Sequence, residues 1–161
     1  MAPRDARGTR ALPSYSIVVP ICNEAMILRD AVTRMVEAFR QPGAAFEVVL
    51  CENGSTDRTR AIARELASSH PQVRLECLPA QNYGLALKHA IGVCAHDVVL
   101  LFNADFWSSQ FVVQALSLLD DYDMVIGSKT MRGSRRTCWR FCRISRGVAS
   151  WSRSRSACRC R

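Results

Sequence analysis

Three short clusters of carboxylate and carboxamide residues, and one cation, stand where this 161-residue chain could do chemistry. Pro20-Ile21-Cys22-Asn23-Glu24, Glu52-Asn53-Gly54-Ser55 and Asn103-Ala104-Asp105 each follow a short apolar run, and Ser128-Lys129 follows another. Hard oxygen donors of this kind suit Mg²⁺ or Mn²⁺ holding a diphosphate. Glycine-rich phosphate loops are missing: there is no G-x-G-x-x-G after the first run and no G-x4-G-K-[ST] anywhere. That argues against a dinucleotide cofactor and against a P-loop ATPase. His70, His89 and His96 stand at no metal-ligand spacing from one another and read as ordinary surface or core residues.

The elements that must position these clusters alternate. Tyr15 to Pro20 is a β-branched apolar run, and Ala25 to Arg40 places Ile27, Leu28, Ala31, Val32, Met35, Val36 and Phe39 at helical spacing. Gln41-Pro42-Gly43 stops that helix. Phe46 to Cys51 is a second strand, followed by a Gly54-Ser55-Thr56-Asp57 turn that can cap a helix running to about Ser69. Val73 to Leu78, Asp97 to Phe102 and Asp123 to Gly127 read as further strands. Tyr83 to Cys94 and Ser109 to Leu119 read as helices, the former weakened by Gly84 and Gly92. Asp97 to Phe102 is continuous in its apolar character, as in a strand buried on both faces. Four strand–helix alternations predict an α/β fold, a mostly parallel sheet with helices on both faces. Such sheets bind ligands at the carboxyl ends of their strands, where all four clusters fall.

Composition sets the boundaries. Hydrophobic residues at 48% and charged residues at 22% describe a globular chain. No apolar run approaches the ~18 residues of a membrane span, and residues 1–14, expected as a disordered arm, carry basic residues without the apolar stretch of a signal peptide. The expectation is a chain without a transmembrane segment, cytoplasmic or peripheral on the cytoplasmic face of a membrane. The net charge of +8 is not spread evenly: residues 1–131 hold 12 basic and 14 acidic side chains, whereas residues 132–161 hold ten Arg and no acid. Only the tail therefore suggests an anionic partner, and with no RNA-binding module or aromatic platform beside it, no nucleic-acid partner is expected. Cys22, Cys51, Cys77 and Cys94 read as small buried hydrophobes.

S-I-V-V-P-I-C-N-E-A, E-N-G-S-T-D-R-T, N-Y-G-L-A-L-K-H-A and F-N-A-D-F occur in that order at residues 16–25, 52–59, 82–90 and 102–106. Together they resemble the family 2 glycosyltransferases, most nearly the dolichyl- and polyprenyl-phosphate mannose synthase branch, over roughly residues 15–131. The resemblance implies a Rossmann-like GT-A domain that binds a nucleotide sugar. It implies transfer from a GDP-mannose or UDP-sugar donor to a lipid phosphate at a membrane surface, assisted by Mg²⁺ or Mn²⁺. By the same resemblance Pro20, Asn23, Glu24, Glu52, Asn53, Asn82 and Gly84 line the nucleotide. Asn103 and Asp105 occupy the outer positions of a D-x-D metal motif, and Asp105 and Lys129 are the catalytic candidates, Lys129 facing the acceptor phosphate.

Plainer roles stand beside these. Asp105 could cap the following helix, Glu24 could be a first-turn acid, Glu52 and Asn53 could only shape a turn, and Lys129 could be solvated. The sequence also departs from the family: Asn103 and Asn53 replace acids, and Cys22 stands where an aromatic residue often stacks on the base. An amide ligates a metal without adding charge, so weaker metal affinity follows. After residue 131 the family continues with elements that finish the acceptor site. Here residues 132–161 are rich in Arg, Ser and Cys and show no sustained period, as in a GC-rich gene read out of frame. The expectation is a GT-A domain incomplete at its C-terminus, native sequence ending near residues 131–136, and an unfolded tail. Competing readings are a donor-binding remnant without transferase activity and a basic nucleic-acid-binding protein.

Overall fold

The computed structural model describes residues 13–40, 44–119, 121–128 and 140–145. The elements in chain order are β1 (Tyr15–Ile21), α1 (Leu28–Ala38), β2 (Phe46–Asn53), α2 (Thr59–Ser69), β3 (Val73–Leu78), α3 (Tyr83–Gly92), β4 (Val98–Leu101), α4 (Ser109–Leu118), β5 (Tyr122–Ser128) and β6 (Arg140–Ser145). They fall into two compact units that divide after Ser109.

The first unit is built on a four-stranded sheet in the order β3-β2-β1-β4. Every pairing in it is parallel: β1 with β2, β1 with β4, and β2 with β3. The consecutive strands β1, β2 and β3 step outward on one side, and the chain then crosses to place β4 on the other. The strand order therefore reverses beside β1. The mostly parallel sheet expected from the alternation is present, as is the Rossmann-like arrangement that the resemblance implied.

Side chains alternate across the sheet with a period of two. Val18, Val49 and Cys51 share one face and pack with Ala86 and Ala90 of α3. Ile17, Val19 and Ile21 of β1 and Val48 and Leu50 of β2 point the other way and are buried. The Tyr15 hydroxyl, on that second face, donates to the Phe39 carbonyl at the end of α1 at 2.8 Å. Burial pushes this phenol up to about 12. Phe39 stacks in turn on Phe102 at 5.8 Å and meets Trp107 at 5.3 Å. Glu52 of the same face pairs with Arg60 of α2, so helices cover both faces of the sheet.

Several boundaries differ from the sequence reading, each for a physical reason. α1 begins at Leu28 rather than near Ala25: residues 25–27 form a turn in which the Ile27 and Leu28 amides both return to the Glu24 carbonyl, while the Glu24 and Ala25 amides are taken by Thr59 Oγ1 at 2.8 Å and Asp57 Oδ2 at 3.2 Å. β4 is four residues long and lies at the edge of the described sheet, with Leu101 about half exposed. Its unbroken apolar run therefore does not mark a strand buried on both faces. β5 does not join the parallel sheet; it pairs antiparallel with β6 in a separate two-stranded sheet. Residues 132–161, expected as an unfolded tail, contain that strand β6. The remainder of that range, residues 1–12 and the Gln41-Pro42-Gly43 stop lie outside the described residues.

Candidate functional site

The site is assembled where three loops leave the carboxyl ends of β1, β2 and β3. After β1 the chain turns sharply at Asn23, which adopts φ 57°. Asparagine tolerates this left-handed region because its short side chain can bond locally. Here Asn23 Oδ1 accepts from the Thr56 amide at 2.9 Å and from the Thr56 hydroxyl at 3.3 Å. The Asn23 amide donates to Ser55 Oγ at 3.1 Å. Asp57 Oδ1 accepts from the Thr59 amide at 2.9 Å, so the same carboxylate that holds Ala25 also starts α2. Hydrogen bonds from Thr59 hold the Asp57 carboxyl below the usual range. The loops after β1 and β2 thus form one laced unit.

The loop after β3 closes on it. Gly54 adopts φ +71°, and a Cβ built there would lie 2.9 Å from the Gln81 nitrogen. Gln81 Nε2 donates to the Gly54 carbonyl at 3.2 Å and to Cys22 Sγ at 3.4 Å. Asn53 Oδ1 accepts from the Asn82 amide at 2.6 Å, and Asn82 Oδ1 caps α3 by accepting from Leu85 N at 3.0 Å. Gly54→Ala is therefore strained twice, by its φ and by the contact. It should cost about 2–3 kcal/mol in urea unfolding. Gly92→Ala meets nothing within 4 Å and should be neutral or stabilising by about 0.5 kcal/mol, since alanine is the better helix former.

Glu52 is fully buried at the end of β2. Its Oε1 accepts from the Ser55 amide, and its Oε2 from Arg60 Nε at 2.8 Å. Burial by itself raises a carboxyl pKa, but here the Ser55 and Arg60 bonds outweigh it and hold Glu52 below the ordinary carboxylate range. Both oxygens are thus engaged within the fold. Glu24 moves the opposite way. Burial raises it first, and the neighbouring Asp105 and Asp57 carboxylates add to the rise. Asp105 therefore lies within electrostatic reach of the loop after β1.

Asn103 and Asp105 sit in a tight turn after β4. The Phe106 amide returns to the Asn103 carbonyl at 3.2 Å, and both Asn103 and Asp105 are exposed. Among the described residues no group of three or more His, Cys, Asp or Glu side chains could hold a metal ion. The available donors are one carboxylate and one amide. That set fits Mg²⁺ or Mn²⁺, which are commonly held by one or two carboxylates plus substrate phosphates and water.

Pro20, Asn23, Glu24, Glu52, Asn53 and Asn82 all stand at this one edge of the sheet. Asn23, Glu52, Asn53 and Asn82 direct side-chain oxygens into the fold, joining the loops and capping α3. Gly84 lies in the first turn of α3, where a Cβ would meet only Asn82 Oδ1 at 3.7 Å. No steric demand for glycine comes from the described residues. Trp107 packs on Phe39, with the Arg34 guanidinium 5.9 Å from its ring. Lys129 lies outside the described residues. Sequence reading missed Thr59, Arg60 and Gln81, whose partners stand 35, 8 and 27 residues away. The S-T-D-R-T spacing signals a helix start, but not which other loop it will hold.

Residues 16–155 match the family described as Glycosyl transferase family 2. The chain is 30% identical over 141 residues to undecaprenyl-phosphate 4-deoxy-4-formamido-L-arabinose transferase of Sodalis glossinidius, covering 85% of this chain and 42% of that protein. It is 27% identical over 137 residues to dolichol-phosphate mannosyltransferase of Pyrococcus furiosus, covering 83% and 38%. The chain thus spans about two fifths of the length of these relatives. Among solved structures it is similar to the mannosyltransferase PcManGT of Pyrobaculum calidifontis in complex with GDP-Man and Mn²⁺, with a TM-score of 0.58 and 25% identity over 66% of this chain and 32% of that one. It shares its fold with S. aureus TarS, with a TM-score of 0.55 and 20% identity over 66% of this chain and 32% of that one.

Proposed function

This chain belongs to glycosyl transferase family 2, and from that premise we propose that it transfers a sugar from a nucleoside-diphosphate donor to a polyprenyl or dolichyl-type phosphate. One observation supports this most. The loops after β1, β2 and β3 are tied into a single edge by Asn23, Asn53 and Gln81, with the Asp105 carboxylate within electrostatic reach of Glu24. That is the carboxyl edge of a parallel sheet beside its order reversal, the usual ligand position of such folds. The relatives named for lipid-phosphate sugar transfer, and PcManGT with GDP-Man and Mn²⁺, point to the same class.

In this reading the nucleotide lies along the ends of β1 and β2, against Pro20, Asn23, Glu24 and Asn53, with Asn82 and Gly84 beside it. Asp105, with Asn103, would hold Mg²⁺ or Mn²⁺ against the diphosphate. The bound ion supplies Lewis-acid stabilisation of the leaving nucleoside diphosphate without proton movement. The bond from the sugar's anomeric carbon to the diphosphate breaks, and a bond from that carbon to an acceptor phosphate oxygen forms. A lipid phosphate is already an anionic nucleophile, so no strong general base is needed. Lys129 would neutralise the acceptor phosphate as it approaches. Glu52, with both oxygens engaged by Ser55 and Arg60, acts by fixing the loop that carries Asn53.

The test is direct. The full chain is incubated with labelled GDP-mannose or UDP-sugars, Mn²⁺ and a polyprenyl phosphate, and label entering the organic phase is counted. Metal-dependent transfer to lipid is the expected result. Tight nucleotide binding without any transfer would make the chain a donor-binding module, and absence of both would overturn the reading.

A further inference from the structure

The edge that carries the candidate site is also unusually apolar at its rim. Six large apolar side chains are exposed among the described residues of the first unit: Met26, Tyr83, Leu85, Ile91, Leu101 and, at 37% the least exposed, Ile27. Four of them flank this edge. Met26, 96% exposed, and Ile27 follow Glu24 on the loop after β1, while Tyr83 and Leu85, each 54% exposed, follow Asn82 at the start of α3. Scattered single exposures are ordinary on a protein surface. Four gathered on two loops that are fastened to the same third loop are not scattered.

Cations accompany the apolar residues. Arg58 stands at the start of α2, beside Asp57, which binds the Ala25 amide next to Met26. Lys88 stands one turn along α3 from Leu85. Both are exposed, and neither forms an ion pair with another described residue. Leu85 and Lys88 also line a groove of about 610 Å³ that continues between α3 and the end of β3 past Leu78 and Pro79. Asp57 follows β2, between the strands that carry the two flanks, whereas Asp105 follows β4 on the far side of β1. Apolar tips with cations alongside are what an interfacial membrane contact requires: side chains enter the headgroup boundary while Arg and Lys meet anionic lipid.

We propose that this rim, formed by Met26, Ile27, Tyr83 and Leu85 with Arg58 and Lys88, docks on an anionic lipid surface and holds the donor site against it. The inference rests on the reading that the acceptor is a lipid phosphate. It adds which surface meets the bilayer. Docking in this orientation brings the carboxyl ends of the strands to the headgroup plane, where a lipid-borne phosphate resides. Among the described residues no helix is long and apolar enough to cross a membrane.

The experiment is co-sedimentation of the full chain with phosphatidylcholine vesicles, with and without about one third phosphatidylglycerol, at low salt and at about 0.5 M NaCl. At the higher salt the screening length falls to roughly 4–5 Å. Attraction of the Arg-rich residues 132–161 is then suppressed while apolar insertion persists. Wild-type protein should still sediment with anionic vesicles, and the Met26→Gln/Tyr83→Gln/Leu85→Gln variant should bind at least about tenfold more weakly. Met26→Gln alone, at a side chain with almost no packing to lose, should show a smaller loss of the same sign. Mn²⁺-dependent GDP and UDP binding, measured on the same samples, should be unchanged in every variant. Equal vesicle binding by wild type and variants overturns the proposal, as does absence of binding by wild type. Rim-dependent self-association without lipid also overturns it, since the surface then belongs between copies of the chain. Rim-dependent docking in a protein that binds no nucleotide would leave this proposal standing and remove the transferase reading instead.

Discussion

Asp105→Ala should abolish Mn²⁺-dependent nucleotide binding, a loss of about 100-fold or more, while Asn103→Asp should tighten it by about tenfold. The reason lies in the small number of ligands. Asp105 and Asn103 share one tight turn after β4, and no described cluster of three ligating side chains stands in reserve. Removing the only carboxylate of that turn leaves the ion with an uncharged amide and the diphosphate alone. Converting Asn103 adds a charged donor at a position already turned outward. The same substitution places another negative charge near Glu24, whose carboxyl is already raised by burial and by Asp105 and Asp57. Asn103→Asp should therefore lower stability slightly without metal while raising affinity with it. Calorimetric titration of GDP and UDP with Mn²⁺, then with EDTA, reads both effects. Unchanged affinity in both variants would sink the metal assignment.

Glu52→Ala should destabilise the fold by about 2 kcal/mol in urea unfolding. The Glu52 side chain is fully buried, and it supplies the acceptor for the Ser55 amide at the head of the laced loop. Arg60→Met should be harmful for a different reason: it strands a buried carboxylate. Its deficit should be largely recovered in the Arg60→Met/Glu52→Gln double variant, which a packing defect at Arg60 would not allow. The pH dependence separates the two further. In the wild type the folded Glu52 carboxyl is held below its unfolded value of about 4.3. Its stabilisation is fully present above that value and is lost as pH falls through the lower folded value. Without Arg60, burial is opposed by Ser55 alone and the folded value moves up. The Arg60→Met deficit should then shrink as pH falls through the carboxylate range. A deficit that stays constant from pH 7 to pH 4 would place the effect in packing.

The sheet and its helices were legible because their signal is periodic and local. Tyr15 to Pro20 and Phe46 to Cys51 are β-branched runs of strand length, and Ile27 to Phe39 repeats at helical spacing. The order of strand and helix, read in one dimension, already favours parallel pairing, since a return that crosses over a helix brings the next strand in with the same direction. It follows that the ends of β1, β2 and β4 are the places for chemistry. The errors came where a local signal stood in for a neighbour. An unbroken apolar run suggested that β4 is buried on both faces, yet it is an edge of the described sheet, because strand order is set by crossovers and not by composition. β5 reads as the next parallel strand, but its partner is β6, which lies in a segment whose composition suggested no fold.

The sequence alone determined which residue types would gather at the carboxyl edge of a parallel sheet, because alternation and topology place every post-strand loop there. Only the tertiary structure decided what those residues do with their hydrogen bonds. Asn23 holds Thr56, Glu52 holds Ser55 and Arg60, Asn53 holds the Asn82 amide, and Gln81 spans Gly54 and Cys22. Asp105, with no such partner to read from the sequence, is brought within electrostatic reach of Glu24. The physical reason is that a side-chain hydrogen bond depends on a few ångströms of separation between loops distant in the chain. That separation is set by the packing of α3 on one face of the sheet and α1 and α2 on the other, and no spacing along the chain encodes it.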